Sequence, residues 1–130
     1  MAAKTISFVL PVYNEVRVLP DFYKVLCDTV KPREKDYAFE FVFVNDGSSD
    51  GTAQLLSDIV AKDPRVKVIN FARNFGHQIA ITAGIDHAKG DAVIVMDTDL
   101  QDPPRVSMEL VGEWAQGHEV VYAVRATSKD

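Results

Sequence analysis

"FEFVFVNDGSSDGTAQLLSDIVAKDPRVKVINF", residues 39–71, reads in one sweep as strand, turn, helix, turn and strand. Phe39–Val44 is apolar apart from Glu40 and runs straight into Asn45-Asp46-Gly47-Ser48-Ser49-Asp50-Gly51-Thr52, the residue types that turns use. Thr52–Ala61 then sets Leu55, Leu56, Ile59 and Val60 on one side of a helix, before Asp63-Pro64-Arg65 breaks it. Val66–Phe71 is apolar again. Strands this uniformly apolar are buried on both sides, so a strand–helix–strand unit of this kind predicts parallel pairing with helices over the sheet.

The alternation continues in both directions. Ile6–Val12 reads as a buried strand, and Glu15–Val30 as a helix with Val16, Leu19, Phe22, Tyr23, Leu26 and Val30 at helical spacing. His77–Ala88 is a helix of small residues that Lys89-Gly90 stops, and Ala92–Met96 is a fourth strand. Pro103–Ala115 reads as a helix entered through proline with Asp102 as its N-cap, and Glu119–Val124 as a fifth strand. The expected fold class is α/β, a mainly parallel sheet with helices on both faces. No closing helix follows the fifth strand, so the chain is expected to be the N-terminal portion of a longer domain, cut after Asp130.

Bulk properties narrow the function. The 130 residues suffice for one core, and Lys+Arg 14 against Asp+Glu 19 gives a net charge of −5. That disfavours nucleic-acid binding through a basic face. Cys27 is the single cysteine, which excludes an intrachain disulfide and a cysteine zinc site and suits a reducing, cytoplasmic compartment. The opening Met-Ala-Ala-Lys passes too quickly into a strand to be a signal peptide, and no apolar run reaches the roughly 18 residues of a membrane span.

In open parallel sheets, ligands bind outside the carboxyl ends of the strands. Those ends carry Pro11-Val12-Tyr13-Asn14-Glu15, Asn45-Asp46-Gly47, Ala72-Arg73-Asn74, Asp97-Thr98-Asp99 and Arg125. The opposite ends, such as Asp36-Tyr37-Ala38 and Asp63-Pro64-Arg65, read as ordinary turns. Asp97 and Asp99 lie two apart and project to one side of an extended segment, with Gln101 following at the same interval. Such hard oxygen ligands suit Mg²⁺ or Mn²⁺, which would complete its shell with substrate phosphate and water. The competing reading makes Asp99 a turn residue and Asp102 a helix cap. Asp46 could accept hydrogen bonds from a base or ribose, whereas Ser48 to Thr52 read as a turn in which Ser49 or Asp50 caps the next helix. Tyr13 is either a core aromatic or a ring on which a nucleobase stacks. His77 and His87 read as helix-terminus and surface histidines, and Met96 and Trp114 as packing residues. No G-x-G-x-x-G follows the first strand and no G-x-x-x-x-G-K-[ST] exists, which excludes the common dinucleotide and P-loop sites. A phosphatase of the haloacid dehalogenase type would carry Asp-x-Asp on its first strand, not its fourth.

Taken in order, "VLPVYNE", "FVFVNDGSSDGT", "RVKVINFARNFGHQIAITAGIDHAKGDAVIVMDTDLQDPP" and "EVVYAVR" resemble the family 2 glycosyltransferases of GT-A fold. The resemblance covers almost the whole chain and is nearest to the polyprenyl-phosphate sugar transferases, the dolichol-phosphate mannose synthases and bactoprenol glucosyltransferases. It implies that Pro11, Tyr13 and Glu15 hold the base of a nucleotide and that Val44 and Asp46 complete the base and ribose pocket. It further implies that Asp97 and Asp99 form the catalytic metal–diphosphate motif, with Thr98 lining the nucleotide, Gln101 near the metal and Arg125 approaching the sugar phosphate. Arg73, in the "RNFGHQ" run, would neighbour the diphosphate. Asn45 departs from the Asp that many members carry at that position.

The implied activity is metal-dependent, inverting transfer of a sugar from a UDP- or GDP-linked donor to a polyprenyl-phosphate lipid. A lipid phosphate is already ionised near neutral pH, which fits the absence of an evident general base. The rival readings are a family 2 transferase with a polysaccharide or other acceptor, and a non-catalytic nucleotide-binding module. On the leading reading the 130 residues alone would bind nucleotide weakly and transfer little. The whole protein would sit at the cytoplasmic face of a membrane through segments beyond Asp130.

Overall fold

Four parallel strands form the sheet in the computed structural model, which describes residues 4–96 and residue 98. In chain order the elements are β1 (Lys4–Val12), α1 (Leu19–Val30), a 3₁₀ turn (Lys31–Arg33), β2 (Tyr37–Asn45), α2 (Thr52–Lys62), β3 (Val66–Asn70), α3 (His77–His87) and β4 (Ala92–Val95). The spatial order is β3-β2-β1-β4. Phe8 sits opposite Phe41 on one side and Ile94 on the other, and Pro11 is opposite Val44. The chain therefore steps outward from β1 to β3 and then crosses back to the far side of β1.

That reversal explains the two helical layers, because right-handed crossovers running in opposite directions place their helices on opposite faces. On one face Ile6, Phe8, Leu10 and Val12 of β1 and Phe39, Phe41 and Phe43 of β2 meet Leu19, Phe22, Leu26 and Val30 of α1 and Leu56 and Ile59 of α2. The Phe8 and Phe41 rings meet edge to face at 5.8 Å, the arrangement their quadrupoles favour. On the other face Ala80 of α3 packs against Val42 and Val44. There the approach is so close that a Cβ on Gly84 would stand 2.3 Å from Val9 Cγ1. The small residues that made this stretch a weak amphipathic helix are what allow it to lie flat on the sheet.

The parallel α/β fold with helices on both faces is as the sequence predicts, with differences at the ends of elements. The first helix starts at Leu19 rather than Glu15. Asn14 adopts a left-handed φ of 53°, and Val18 and Leu19 both donate their N–H to Glu15 O at 3.1 and 2.9 Å, closing a tight turn first. Pro20, which lacks an N–H, is then tolerated in the opening helical turn. At α2 the cap position is held by Gly51, not by Ser49 or Asp50. Asp50 reaches past it, its Oδ1 accepting from Thr52 N at 3.0 Å and from the Thr52 hydroxyl at 2.6 Å. β2 extends further than its apolar run, from Tyr37 to Asn45. Met96 is buried in the core as expected, and Cys27 is a free thiol. The helix expected over 103–115 with its cap Asp102 and Trp114, and the strand expected over 119–124, lie outside the described residues. Among the described residues no helix is long and apolar enough to cross a membrane.

Candidate functional site

The strand order reverses between β1 and β4, and in open parallel sheets such a switch point is where the carboxyl ends of the strands form a crevice. β1 delivers Tyr13, Asn14 and Glu15 to it. β4 delivers Thr98, whose hydroxyl donates to Glu15 Oε1 at 3.2 Å. Thr98 is buried, and it is the middle residue of the Asp97-Thr98-Asp99 run. Tyr13 is 48% exposed, so its ring lies on the rim and not in the core.

Hydrogen bonds knit the loops after β1, β2 and β3 into one rim. Asn14 N donates to Ser48 Oγ at 2.8 Å, and Ser49 N donates back to Asn14 Oδ1 at 2.8 Å. Glu15 N donates to Thr52 Oγ1 and Val16 N to Asp50 Oδ2. The Asp50 carboxyl is held below its ordinary range, first by the Thr52 hydroxyl, against desolvation. Asn45 joins the next pair of strands: its Nδ2 donates to Asn70 Oδ1 at 3.0 Å while its Oδ1 accepts from Ser48 N at 3.1 Å. An amide both donates and accepts, which a carboxylate at that place could not do.

Asp46 is buried at 4% exposure, and its carboxylate faces the loop after β3. Oδ1 accepts from Phe75 N at 2.7 Å, and Oδ2 accepts from Gly76 N and Asn74 Nδ2, both at 3.0 Å. Its backbone N–H donates to Val12 O at 2.9 Å. Gly47, at φ +75°, lies against the peptide that joins Arg73 to Asn74, so that a Cβ would stand 2.2 Å from Arg73 C. Arg73 in turn lays its guanidinium 4.3 Å over the Phe75 ring, which meets Phe71 edge-on at 5.5 Å.

The residues implied for the nucleotide therefore divide. Tyr13, Glu15 and Thr98 come together at the β1–β4 crevice, with Asp46 on the adjoining stretch of rim. Pro11 and Val44 are buried neighbours in register, and the Val44 side chain lies beneath α3 near Gly84. His77 opens α3, and the exposed His87 places Nδ1 2.9 Å from Ala83 O, in keeping with helix-end and surface roles. Asp97, Asp99, Gln101 and Arg125 lie outside the described residues, and among the described residues no group of three His, Cys, Asp or Glu could hold a metal. Sequence reasoning passed over the roles of Asn14 and Asn74. For Asn14 the signal was there, since a non-glycine residue at positive φ is most often asparagine.

The family described as Glycosyl transferase family 2 matches residues 7–130. The chain is 50% identical over 123 residues to an uncharacterized glycosyltransferase, YkcC, of Bacillus subtilis (strain 168), covering 95% of this chain and 38% of that protein. It is 45% identical over 121 residues to the bactoprenol glucosyl transferase of Shigella phage SfV, covering 93% of this chain and 39% of that protein. The chain thus spans under two fifths of the length of these curated relatives. Among solved structures, it resembles a mannosyltransferase from Pyrobaculum calidifontis, in complex with GDP-Man and Mn²⁺, at a TM-score of 0.71 and 23% identity, over 87% of this chain and 32% of that one. It resembles S. aureus TarS in complex with UDP-GlcNAc at 0.69 and 23%, over 88% and 32%. These likenesses show the fold, which is that of GT-A glycosyltransferases.

Proposed function

The chain belongs to glycosyl transferase family 2, and from that premise we propose that it is the nucleotide-sugar-binding part of an inverting glycosyltransferase. The donor is a UDP- or GDP-linked sugar and the acceptor a polyprenyl phosphate at the cytoplasmic face of a membrane. The observation that carries this reading is the Thr98–Glu15 hydrogen bond at the β1–β4 switch point. It ties the strand that leads into Asp97-Thr98-Asp99 to the loop bearing Tyr13, in the crevice where sheets of this order bind ligands. The 45% identity to a bactoprenol glucosyl transferase supports the lipid-phosphate acceptor over a polysaccharide one.

In this reading the exposed Tyr13 ring stacks on the base, with Glu15 and Asp46 in the surrounding wall and Thr98 lining the nucleotide, while the buried Pro11 and Val44 support the strand ends that carry them. Asp97, Asp99 and Gln101 offer three hard oxygen donors, a set that suits Mg²⁺ or Mn²⁺. Such an ion would supply electrostatic stabilisation to the diphosphate. Arg125 would approach the same charge. The reaction forms a bond from an acceptor phosphate oxygen to the anomeric carbon as the bond from that carbon to the diphosphate oxygen breaks, on opposite faces. The acceptor oxygen is already anionic near neutral pH, so no side chain needs to remove a proton.

Calorimetry with UDP, GDP and their sugars, with and without Mn²⁺, tests the reading. Binding of one nucleotide strengthened by Mn²⁺, with the Mn²⁺ effect lost in Asp99→Asn, is expected. If neither nucleotide binds, or if Asp99→Asn leaves the metal effect intact, the assignment fails.

A further inference from the structure

The turn from Ser48 to Thr52 is bonded more heavily than the start of a helix needs. Capping α2 takes an acceptor for one of its first amides, and Asp50 Oδ1 supplies it by accepting from Thr52 N at 3.0 Å. Other side-chain oxygens of the same turn reach away from the helix, to the loop after β1. Asn14 N donates to Ser48 Oγ at 2.8 Å, Glu15 N to Thr52 Oγ1 at 3.1 Å and Val16 N to Asp50 Oδ2 at 3.2 Å. Three consecutive amides, past the end of β1 and not yet in α1, are thus each met by a different side chain 34 to 37 residues away. Asn14 keeps its left-handed φ of 53° at this junction, a conformation that persists where the surroundings over-determine it.

Two of these links stand in series. Thr52 is fully buried, and its hydroxyl donates its one proton to Asp50 Oδ1 at 2.6 Å. That fixes the rotor and leaves the lone pairs of Oγ1 to accept from Glu15 N. A hydroxyl polarised by a carboxylate is also the stronger acceptor. Glu15 carries the series onward, because its Oε1 accepts from the Thr98 hydroxyl at 3.2 Å. Asp50, Thr52, Glu15 and Thr98 therefore link the start of α2, across the β1 loop, to the middle of the Asp97-Thr98-Asp99 run.

We propose that Asp50 and Thr52 are positioning residues, which hold Glu15, and through it Thr98, in the geometry that the nucleotide meets. They act on the ligand only through Glu15. This rests on the nucleotide-sugar reading above and extends it to a turn whose sequence announces no more than a helix start.

Calorimetric titrations of the purified protein with UDP and GDP in Mg²⁺, run well below each melting midpoint, compare Thr52→Val, Thr52→Ser, Asp50→Asn, Glu15→Ala and the double Thr52→Val/Glu15→Ala. Thr52→Val keeps the branched shape and removes the hydroxyl, Thr52→Ser keeps the hydroxyl, and the amide of Asp50→Asn cannot accept at both positions. Thr52→Val and Asp50→Asn are each expected to weaken nucleotide binding by about tenfold, and Thr52→Ser to stay within about twofold of the parent. Added to Glu15→Ala, Thr52→Val is expected to cost less than about twofold, since links in one series do not add. Without ligand, the Thr98 amide resonance is expected to move in Thr52→Val and to return in Thr52→Ser, a response that a helix cap alone does not produce. Should Thr52→Val fail to fold, Asp50→Asn, at an exposed residue, decides the matter.

The proposal is overturned if Thr52→Val and Asp50→Asn lower the melting midpoint yet bind nucleotide as the parent does, or if Thr52→Val weakens binding as much in Glu15→Ala as in the parent. Parent protein that binds neither nucleotide overturns the nucleotide-sugar reading instead. The ligand-free Thr98 resonance then still decides the series, and if it is unmoved in Thr52→Val the positioning role falls as well.

Discussion

At the amino-terminal ends of the strands, charged groups close on one another. Arg65 donates to both Asp63 oxygens at 2.8 and 2.9 Å and to Glu34 at 2.8 Å, lies 4.9 Å over the Phe41 ring, and shares Asp63 with the Tyr23 hydroxyl. The Arg65 guanidinium holds the Asp63 carboxyl at about 2 against the opposing effect of burial, while burial and the bond to Asp63 push the Tyr23 hydroxyl well above its ordinary range. Glu40, buried deeper in β2, accepts from Ser7 Oγ, Lys89 N and Lys67 Nζ. Burial raises its carboxyl, but Lys67 and these donors outweigh that and keep it below the usual range.

At the carboxyl ends the loops are braced just as thoroughly, yet by neutral turn residues and by carboxylates bonded to backbone. Tyr13 and Arg73 are left facing outward. Both edges are rich in charge, so charge count does not mark the site. What separates them is whether the charges find each other or leave chemistry pointing out of the fold.

That contrast makes substitutions at the two edges differ in kind. Glu40→Ala strips three donors of their buried acceptor and is expected to cost about 3 kcal/mol of stability, leaving the nucleotide affinity of the folded protein unchanged. A urea titration paired with calorimetry measures both. Gly47→Ala forces a Cβ into the Arg73–Asn74 peptide at positive φ, with an expected loss of about 2–3 kcal/mol. Here ligand affinity should fall as well, and a pure stability loss would erase the distinction between the edges.

Asp63→Asn removes the anchor of Arg65, with an expected loss of about 2 kcal/mol at neutral pH. The sign with pH follows from the lowered carboxyl. The contribution is complete above the ordinary value of 3.8 and disappears as pH falls through about 2. The variant should therefore show a flatter acid limb in thermal melts between those values. Tyr13→Ala, at the opposite edge, should change stability by under about 0.5 kcal/mol and weaken nucleotide binding by about tenfold.

The parallel fold was legible because its strands are apolar on both faces and its turns are dense in Gly, Asn and Asp. Placement of the candidate site at the carboxyl ends followed from the parallel sheet alone. The bracing within it did not, because Asp46 and its three donors are separated by 28 to 30 residues, and no local pattern announces such pairings. Asp63-Pro64-Arg65 reads as an ordinary turn for the same reason: its partners Tyr23 and Glu34 come from an earlier helix and the turn after it. Local chemistry did set the start of α1, through Asn14 and Pro20, but two competing signals overlapped there and the helical spacing of Val16 pointed too early.

The central claim is that the carboxyl edge at β1 and β4 is the ligand edge, and an amide chemical-shift map of the protein titrated with UDP or GDP in Mg²⁺ tests that most directly. Shifts at residues 13–15, 45–47, 73–76, 97–101 and Arg125, with Tyr23, Asp63 and Arg65 silent, are the predicted result. Shifts at the Asp63–Arg65 edge, or none anywhere, would contradict it.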